Sequence, residues 1–388
     1  MTPFTHRRSK QERIVFGEPA AQAVAAQAKL AGASRVLVLS NPSLAREKNL
    51  LGAVVDSLGS SCAGVLADVR AHSPSGPVHA AARMAREKAV DLFVAVGGGS
   101  VIDSAKVAST CYLYGVDTIG ELKKALPYGA VDPSRVPVDP APKARVVAVP
   151  TTLSAAEFSW SAGCTDEATG VKLPFSHPLM VPQAAILDPR ATLPTPDELF
   201  LSTGIRSVDH AAERLASALS TPYCDATAMQ ALSLLSSALR RVKARRDDFE
   251  ARLDAQVGTW LSILGEESGV PVGISHAIGR VLGVFAKMPH GYTSCVLLPA
   301  AMRWNATENA ERQKRVAAAL GTPDLSAGEA IAALIADLGL PGRLRDVGVT
   351  REMFAPVAKQ VFDGGGTRSN PRPVRSPDDI IEIMELAW

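Results

Sequence analysis

Short apolar runs of the kind that form buried strands alternate with helical patterns in the first half of the chain. The runs lie at residues 13–17, 35–40, 63–67, 91–96 and 146–149, and helical spacing appears between them, most clearly at 78–88 and 101–114. Strands that alternate with helices form a parallel sheet covered by helices on both faces. The first half is therefore predicted to be an α/β domain with a parallel sheet.

The second half has a different pattern, because strand signals stop near residue 194. Alanine- and leucine-rich segments with helical spacing cover residues 207–219, 224–245, 248–265 and 273–285, and more follow beyond 295. We predict an all-α domain here and place the boundary so that the domains are 1–192 and 193–388. The proline-containing stretch 127–145 is predicted to be a connecting loop within the first domain.

Composition restricts the classes of partner. The chain has 388 residues, 47% of them hydrophobic, and a formal net charge of +2, which gives no electrostatic basis for binding nucleic acid or an anionic membrane. No run of 18 apolar residues occurs, and the five cysteines are scattered without a CxxC pair. These features predict a soluble cytoplasmic protein that binds neither nucleic acid nor membrane.

A glycine-rich turn directly follows the 91–96 strand and opens the next helix. It consists of Gly97, Gly98, Gly99 and Ser100. Glycines let a phosphate approach the backbone closely, and a helix N-terminus offers free N–H groups to an anion. The alternative is a tight turn without a ligand. Asp103, on the first turn of that helix, is predicted either to contact a ribose or to cap the turn.

A hydroxyl-rich turn follows the 146–149 strand in the same position, and it contains Thr151, Thr152 and Ser154. In open α/β sheets, ligands bind across the carboxyl ends of the strands. Two polar turns at strand ends therefore predict a nucleotide site.

Two histidine–arginine pairs occur in the helical half. Arg206 and His210 are four residues apart, as are His276 and Arg280, so each pair shares one face of a helix. His290 follows in a turn that leads into another helix. We expect the three histidines and two arginines to converge on one pocket; the alternatives are a solvated surface patch and histidines buried for packing alone.

Three histidines could hold Zn²⁺ or Fe²⁺, but charge argues against a metal. An arginine about 6 Å from a divalent ion costs on the order of 5 kcal/mol at an effective dielectric of about 20. No carboxylate is predicted to share a face with the histidines, because Asp209 is adjacent to His210 and is expected to point elsewhere. Two guanidinium groups match a carboxylate instead, so we predict an anion site without metal.

Taken together, these motifs resemble the iron-containing alcohol dehydrogenase superfamily, which has the dehydroquinate synthase-like fold. The resemblance covers nearly the whole chain and rests on Phe-Gly at 16–17, the GGGSxxDxAK run at 97–106, Pro-Thr-Thr at 150–152 and Ile-Leu-Asp-Pro at 186–189. It continues through the helix at 204–213, the segment 276–291 and Asn-Pro-Arg-Pro at 370–373. It implies a Rossmann-like N-terminal domain that binds NAD(P), a helical C-terminal domain and an active site in the cleft between them.

The metal-dependent members of that family have an aspartate ligand where this chain has Arg206, while His210, His276 and His290 match the other ligand positions. Arg280 replaces a further histidine. Maleylacetate reductases also lack this aspartate ligand. The resemblance to their branch of the family therefore implies an enzyme that works without a metal.

The expected function is therefore reduction of a small anionic keto or enoyl acid by NADH or NADPH without a metal, with maleylacetate to 3-oxoadipate as the reference reaction. The pyrophosphate is expected on Gly97–Ser100, the nicotinamide and ribose near Thr151, Thr152 and Ser154. Arg206 and Arg280 are expected to hold substrate carboxylates, and a histidine to deliver the proton. Ser40 and Asn41 end the 35–40 strand without an acidic side chain, which permits NADP without requiring it.

The resemblance makes a homodimer the expected assembly. Two alternatives stay open: a metal-dependent (Fe or Zn) alcohol dehydrogenase that uses the three histidines, and a non-redox lyase, cyclase or nucleotide-binding protein.

Overall fold

The apolar runs of the first half form a parallel sheet in the computed structural model, which describes residues 4–47, 49–126, 144–286, 288 and 290–388, with only the backbone of His290. Six of the described strands join in the order β1-β8-β5-β4-β2-β3, all parallel. A separate antiparallel hairpin pairs β6 with β7. The strands are β1 (Arg13–Phe16), β2 (Val36–Leu39), β3 (Cys62–Leu66), β4 (Leu92–Gly97), β5 (Arg145–Pro150), β6 (Ser161–Thr165), β7 (Lys172–Ser176) and β8 (Ala184–Leu187).

Side chains of the central strands alternate between two apolar cores because successive residues of a strand point to opposite faces. Leu37 and Leu39 belong to one core, and Val36 and Val38 belong to the other. The helices of this unit are α1 (Ala20–Leu30), α2 (Pro42–Glu47), α3 (Asn49–Leu58), α4 (Ser75–Glu87), α5 (Gly99–Tyr114) and α6 (Ile119–Ala125). The predicted fold class, a parallel α/β sheet followed by a helical region, is confirmed.

The strand order reverses beside β2, since the chain runs outward from β2 to β3 and then returns to β4 on the other side of β2. This is the topological switch point at which open α/β sheets bind ligands. Both predicted sites at these strand ends, the glycine turn and Ser40–Asn41, flank the switch point. Most of the predicted loop 127–145 lies outside the described residues.

The chain divides into two compact units. The sheet unit is Ser9–Thr195, and the helical unit is Pro196–Trp388 together with the N-terminal segment that ends at Arg8. The division predicted from the sequence lies at 192/193. Among the described residues, no helix is long and apolar enough to cross a membrane.

The helical unit is built around α7, in which sixteen of twenty residues are buried. The helix starts at Asp197, earlier than the apolar pattern indicates, because Pro196 stands at the N-cap and Phe200 and Leu201 continue the buried face toward the start. The helices are α7 (Asp197–Ala216), α8 (Pro222–Ala244), α9 (Phe249–Ile263), α10 (Ile274–Phe285), α11 (His290–Ala319), α12 (Ala327–Asp337), α13 (Phe354–Asp363) and α14 (Pro377–Leu386). Helix α10 packs with α11, α13 and α14 in one apolar core.

Candidate functional site

Helices α7 and α10 bring charged side chains together inside the helical unit. The first turn of α10 has no side-chain cap of its own at Gly273. Glu213 of α7 takes that role, because its carboxyl accepts hydrogen bonds from the N–H groups of Gly273 (2.7 Å) and Ser275 (2.8 Å). The two helices are therefore joined where α10 begins.

Asp209 lies one turn before Glu213 on α7 and faces the same segment. Its Oδ2 accepts hydrogen bonds from Ser275 Oγ (2.9 Å) and Ser294 Oγ (2.7 Å), whereas its Oδ1 has no hydrogen-bond partner in the described part of the chain. The side chain is fully buried. A buried carboxylate oxygen without a donor is costly unless a ligand or cation satisfies it.

His276 contacts both carboxyl groups. Its Nδ1 lies 2.8 Å from Glu213 Oε2 and 3.3 Å from Asp209 Oδ1. Its ring stacks on that of His210 with 4.8 Å between centroids. The Nε2 atom of His276 and the Nδ1 atom of His210 have no hydrogen-bond partner within the described residues.

Arg206 and Arg280 add positive charge beside this cluster. Arg206 Nη1 lies 3.3 Å from Ser294 Oγ and 4.0 Å from Asp209 Oδ2. Arg280 is exposed on α10, yet its charge, like that of Arg206, lowers the pKa of His276. The structure thus brings Arg206, His210 and His276 together, with Arg280 in electrostatic range. The side chain of His290 lies outside the described residues.

Burial shifts the protonation equilibria of these side chains toward their neutral forms. Loss of solvent, together with the charge of Asp209, raises the pKa of Glu213 to about 8, and loss of solvent also raises the pKa of Asp209. The same burial lowers the pKa of His210 and His276 well below the usual range. Imidazoles held neutral near pH 7 keep a lone pair that can bind a proton or a cation.

Four residues of this site were not predicted from the sequence: Asp209, Glu213, Ser275 and Ser294. A signal for the first two was present, because Asp209 and Glu213 are four residues apart and must share a face of α7. The two serines carried no comparable signal, since nothing in their spacing shows which helix they face.

The predicted nucleotide site lies in the sheet unit. Helix α5 starts at Gly99 and no side chain caps it. The N–H of Val101 donates to Gly98 O, but a helix start without a side-chain cap can bind an anion through its remaining N–H groups. A Cβ on Gly99 would lie 2.7 Å from Ser154 Oγ, and one on Gly98 would lie 3.0 Å from the Thr152 methyl. The glycines are thus also required by the close approach of the hydroxyl turn. Thr152 Oγ1 is buried and has no partner among described atoms.

The other predicted cofactor residues make hydrogen bonds within the sheet unit. Ser40 Oγ donates to Val96 O, and Asn41 caps α2 by accepting from Leu44 N. The remaining three also bond to neighbouring segments: Ser100 Oγ accepts from His72 N, Asp103 Oδ2 accepts from Gly163 N, and the carbonyl of Thr151 accepts from Thr195 Oγ1. A nucleotide at these strand ends fits the uncapped helix and the free threonine hydroxyl.

Comparison with known sequences gives the family. Residues 11–189 match "Iron-containing alcohol dehydrogenase", and residues 200–388 match "Fe-containing alcohol dehydrogenase family, C-terminal". The chain belongs to the iron-containing alcohol dehydrogenase family and is an oxidoreductase of that family. This decides against the non-redox alternative.

Several relatives match along nearly their whole length. The chain is 30% identical to a maleylacetate reductase of Sphingobium indicum, over 97% of this chain and 95% of that protein. It is 27% identical to the lactaldehyde reductase of Escherichia coli, over 99% and 100%. The crystal structure of maleylacetate reductase from Agrobacterium tumefaciens superimposes with a TM-score of 0.82 at 26% identity, covering 100% of this chain and 99% of that one.

The prediction that no metal is needed is wrong on these findings. The family is iron-containing, and Asp209, Glu213 and His276 offer ligand atoms that lie within 4.8 Å of one another. Asp209 was expected to point away from the histidines, yet it lies 3.3 Å from His276. The positive charges of the arginines do not exclude a cation, because the negative charges of Asp209 and Glu213 offset them.

The donor set fits a divalent transition metal. Two carboxyl groups and an imidazole are ligand types that bind such ions, and neither Asp209 Oδ1 nor His276 Nε2 has a hydrogen-bond partner among the described residues. A cation bound here would polarise a carbonyl oxygen as a Lewis acid. Asp209 and His276 would hold it, with His210 stacked beside them.

Proposed function

We propose that this oxidoreductase uses NADH or NADPH to reduce a small keto or enoyl acid, with maleylacetate as the reference substrate. The observation that carries the proposal is the guanidinium of Arg206 beside the carboxylate–histidine cluster. Its side chain is 16% exposed, and its nearest described acidic group is Asp209 at 4.0 Å. A substrate carboxylate would give it a full ion pair.

The contacts of Arg206 favour a carboxylate as the group that it binds. Asp209 Oδ2, the oxygen nearest Arg206, already accepts from Ser275 and Ser294, so Arg206 is left with a weak contact. A guanidinium retains its charge and binds carboxylates through two parallel N–H groups. The likeness to maleylacetate reductases supports the same substrate class, because maleylacetate is a dicarboxylate.

A nicotinamide nucleotide would supply the hydride, held by the sheet unit. The uncapped start of α5 suits its pyrophosphate. Ser40 and Asn41 present no carboxylate against a 2′-phosphate, which leaves both NAD and NADP acceptable. The neutral imidazoles of His210 and His276 lie together in the helical unit, where either could relay the proton that accompanies the hydride.

A second candidate is reduction of an uncharged aldehyde such as lactaldehyde. The likeness to lactaldehyde reductase favours it, whereas the donor cluster of the helical unit would serve either substrate. The two candidates differ in whether the substrate carries a carboxylate for Arg206.

Oxidation of NADH and NADPH with maleylacetate and with lactaldehyde tests the proposal. Replacing Arg206→Ala removes a charge-assisted hydrogen bond worth about 1.5–3 kcal/mol, so KM for maleylacetate is expected to rise about 10- to 100-fold while KM for lactaldehyde changes little. Arg240→Ala, which removes a surface ion pair with Asp337, is the control. An unchanged KM for maleylacetate in Arg206→Ala, or turnover of lactaldehyde alone, would refute the proposal.

The homodimer and the cytoplasmic location stay predictions. Size-exclusion chromatography with light scattering tests the first directly.

A further inference from the structure

The oxygens of Glu213 and Asp209 are used differently, although both carboxyl groups are buried beside His276. Glu213 Oε1 accepts from Ser275 N, and Oε2 accepts from Gly273 N while it also contacts His276 Nδ1. Each oxygen of Glu213 is therefore occupied by the segment that carries His276. Asp209 Oδ1, in contrast, accepts no hydrogen bond from the described chain, and His276 Nδ1 lies 3.3 Å from it.

We propose that Glu213 is a positioning residue that fixes the tautomer and orientation of His276 rather than a metal ligand, and that Asn370 assists it. The N–H groups of Gly273 and Ser275 donate to Glu213 and lower its pKa, against the effect of burial. The carboxyl group that they hold in its deprotonated form presents acceptor lone pairs toward His276. An acceptor at 2.8 Å places the imidazole proton on Nδ1. Nε2 then carries the lone pair, and it is the buried nitrogen that has no hydrogen-bond partner.

Asn370, in the C-terminal segment, also caps the first turn of α10. Its Oδ1 accepts from Ile274 N at 3.1 Å. Glu213 and Asn370 together therefore take three consecutive backbone N–H groups, those of residues 273, 274 and 275, which are orphan donors at the start of a helix. This gives the Asn-Pro-Arg-Pro motif at 370–373 a role that the sequence analysis did not assign.

The carboxyl of Glu213 and the amide of Asn370 approach the backbone at residue 273 so closely that only glycine fits there. A Cβ built there would lie 2.8 Å from Glu213 Oε1 and 3.1 Å from Asn370 Oδ1. A side chain at this position would push one or both acceptors away from α10. The two acceptors thus need glycine at the N-cap to reach the backbone that sets the position of His276.

An acceptor that orients a histidine ligand typically contributes 10- to 100-fold to metal affinity. This inference rests on the proposed function only where it assumes that His276 takes part in the reaction. The tests below measure the tautomer and metal binding and need no substrate. Loss of reductase activity with an intact tautomer would bear on the proposed function alone.

Nitrogen NMR of protein labelled with ¹⁵N-histidine tests the tautomer, with the His276 signals identified by their loss in His276→Gln. In the native protein we expect Nδ1 protonated and Nε2 unprotonated. In Glu213→Gln the amide group can donate to Nδ1, so a substantial fraction of His276 should carry its proton on Nε2. An unchanged tautomer in this variant would overturn the proposal.

Titration with Co²⁺ alone, followed by its visible absorption, tests whether Glu213 is a ligand. Glu213→Gln should still bind one ion per chain with the same band intensity, at an affinity about 10- to 100-fold lower. Asn370→Ala should weaken binding in the same direction by a smaller factor. Complete loss of binding in Glu213→Gln, or a change in band intensity that reports fewer ligands, would make Glu213 a ligand and overturn the proposal.

The control is Thr221→Ala, which removes the side-chain cap of α8 in the same unit. It costs about 1 kcal/mol of stability without touching residues 273–276. If it weakened Co²⁺ binding as much as Asn370→Ala does, a general loss of stability would explain the effect and the role of Asn370 would be refuted.

Discussion

At the residue scale, the sheet unit holds a buried acid that the candidate site does not use. Glu157 is 1% exposed, and its Oε2 has no partner among the described residues. Burial raises its pKa to about 8; its own backbone N–H and the charge of Lys106 oppose the shift, and Asp103 adds to it. The side chain is therefore held in its protonated form at neutral pH.

This raised pKa makes stability depend on pH. The unfolded carboxyl has a pKa of 4.5, so the stabilising contribution of the protonated folded form is complete below about pH 4.5 and is lost as pH rises toward 8. Between pH 5 and pH 8 the free energy of unfolding should fall by on the order of 3 kcal/mol from this group.

Chemical denaturation at several pH values measures this, comparing the native protein with Glu157→Gln. The variant should remove that part of the pH dependence. Glu87→Gln, an exposed glutamate of the same unit, should leave the slope unchanged. A pH profile that Glu157→Gln does not alter would show that Glu157 is not protonated in the folded chain.

Sequence spacing could predict that Arg206 and His210 share a helix face, because they are four residues apart, but it gave no geometric reason why His276 of another helix should meet them. It could not place Asp209. A residue three positions from Arg206 lies on a nearby part of the helix surface, and α7 is buried on nearly all sides. Apolar periodicity identifies the buried face of a helix only when the opposite face is solvated. Because α7 is buried on nearly all sides, only the fold shows which residues contact each of its faces.

At the element scale, strand ends and glycine turns were predictable while the β6–β7 hairpin was not. Its strands are short and contain Gly163 and Pro174, which weaken a strand pattern. The hairpin is held by contacts from distant residues. Lys106 on α5 is fully buried and donates to the backbone carbonyls of Ala156 and Ser161, and local sequence carries no sign of that pairing.

Helix α11 supplies a prediction at this scale, because it bends at Asn309, whose φ and ψ are −137° and 27°. Asn309 Nδ2 donates to Ala216 O at 2.9 Å, and its Oδ1 accepts from Gln313 Nε2 at 2.8 Å. Both side chains are buried. The bend therefore depends on these two hydrogen bonds.

Asn309→Ala leaves buried polar groups unpaired and should lower the free energy of unfolding by about 1–3 kcal/mol. Glu308→Ala, at the exposed neighbouring position, should change it by less than about 0.5 kcal/mol. Urea denaturation followed by circular dichroism measures both. Equal effects of the two substitutions would mean that the bend does not rely on the Asn309 side chain.

At the scale of the whole molecule, the two units carry different chemistry, and metal removal should affect them differently. The donor cluster lies in the helical unit, on α7 and at the start of α10. A cation bound there compensates the buried carboxyl groups of Asp209 and Glu213. A ligand present at 100 times its dissociation constant stabilises the structure that binds it by about 2.7 kcal/mol.

Hydrogen exchange measured by mass spectrometry shows which segments a bound ion stabilises. The protein is loaded with Fe²⁺, and exchange is compared before and after treatment with a chelator. Exchange in peptides from Asp197–Ala216 and Ile274–Phe285 should accelerate by up to about 100-fold, whereas exchange in the strands Leu92–Gly97 and Arg145–Pro150 should change little. Asp209→Asn should show the faster exchange before chelation and no further change after it. Equal acceleration in both units would mean that the ion stabilises the chain as a whole, and no acceleration anywhere would mean that this cluster does not bind iron.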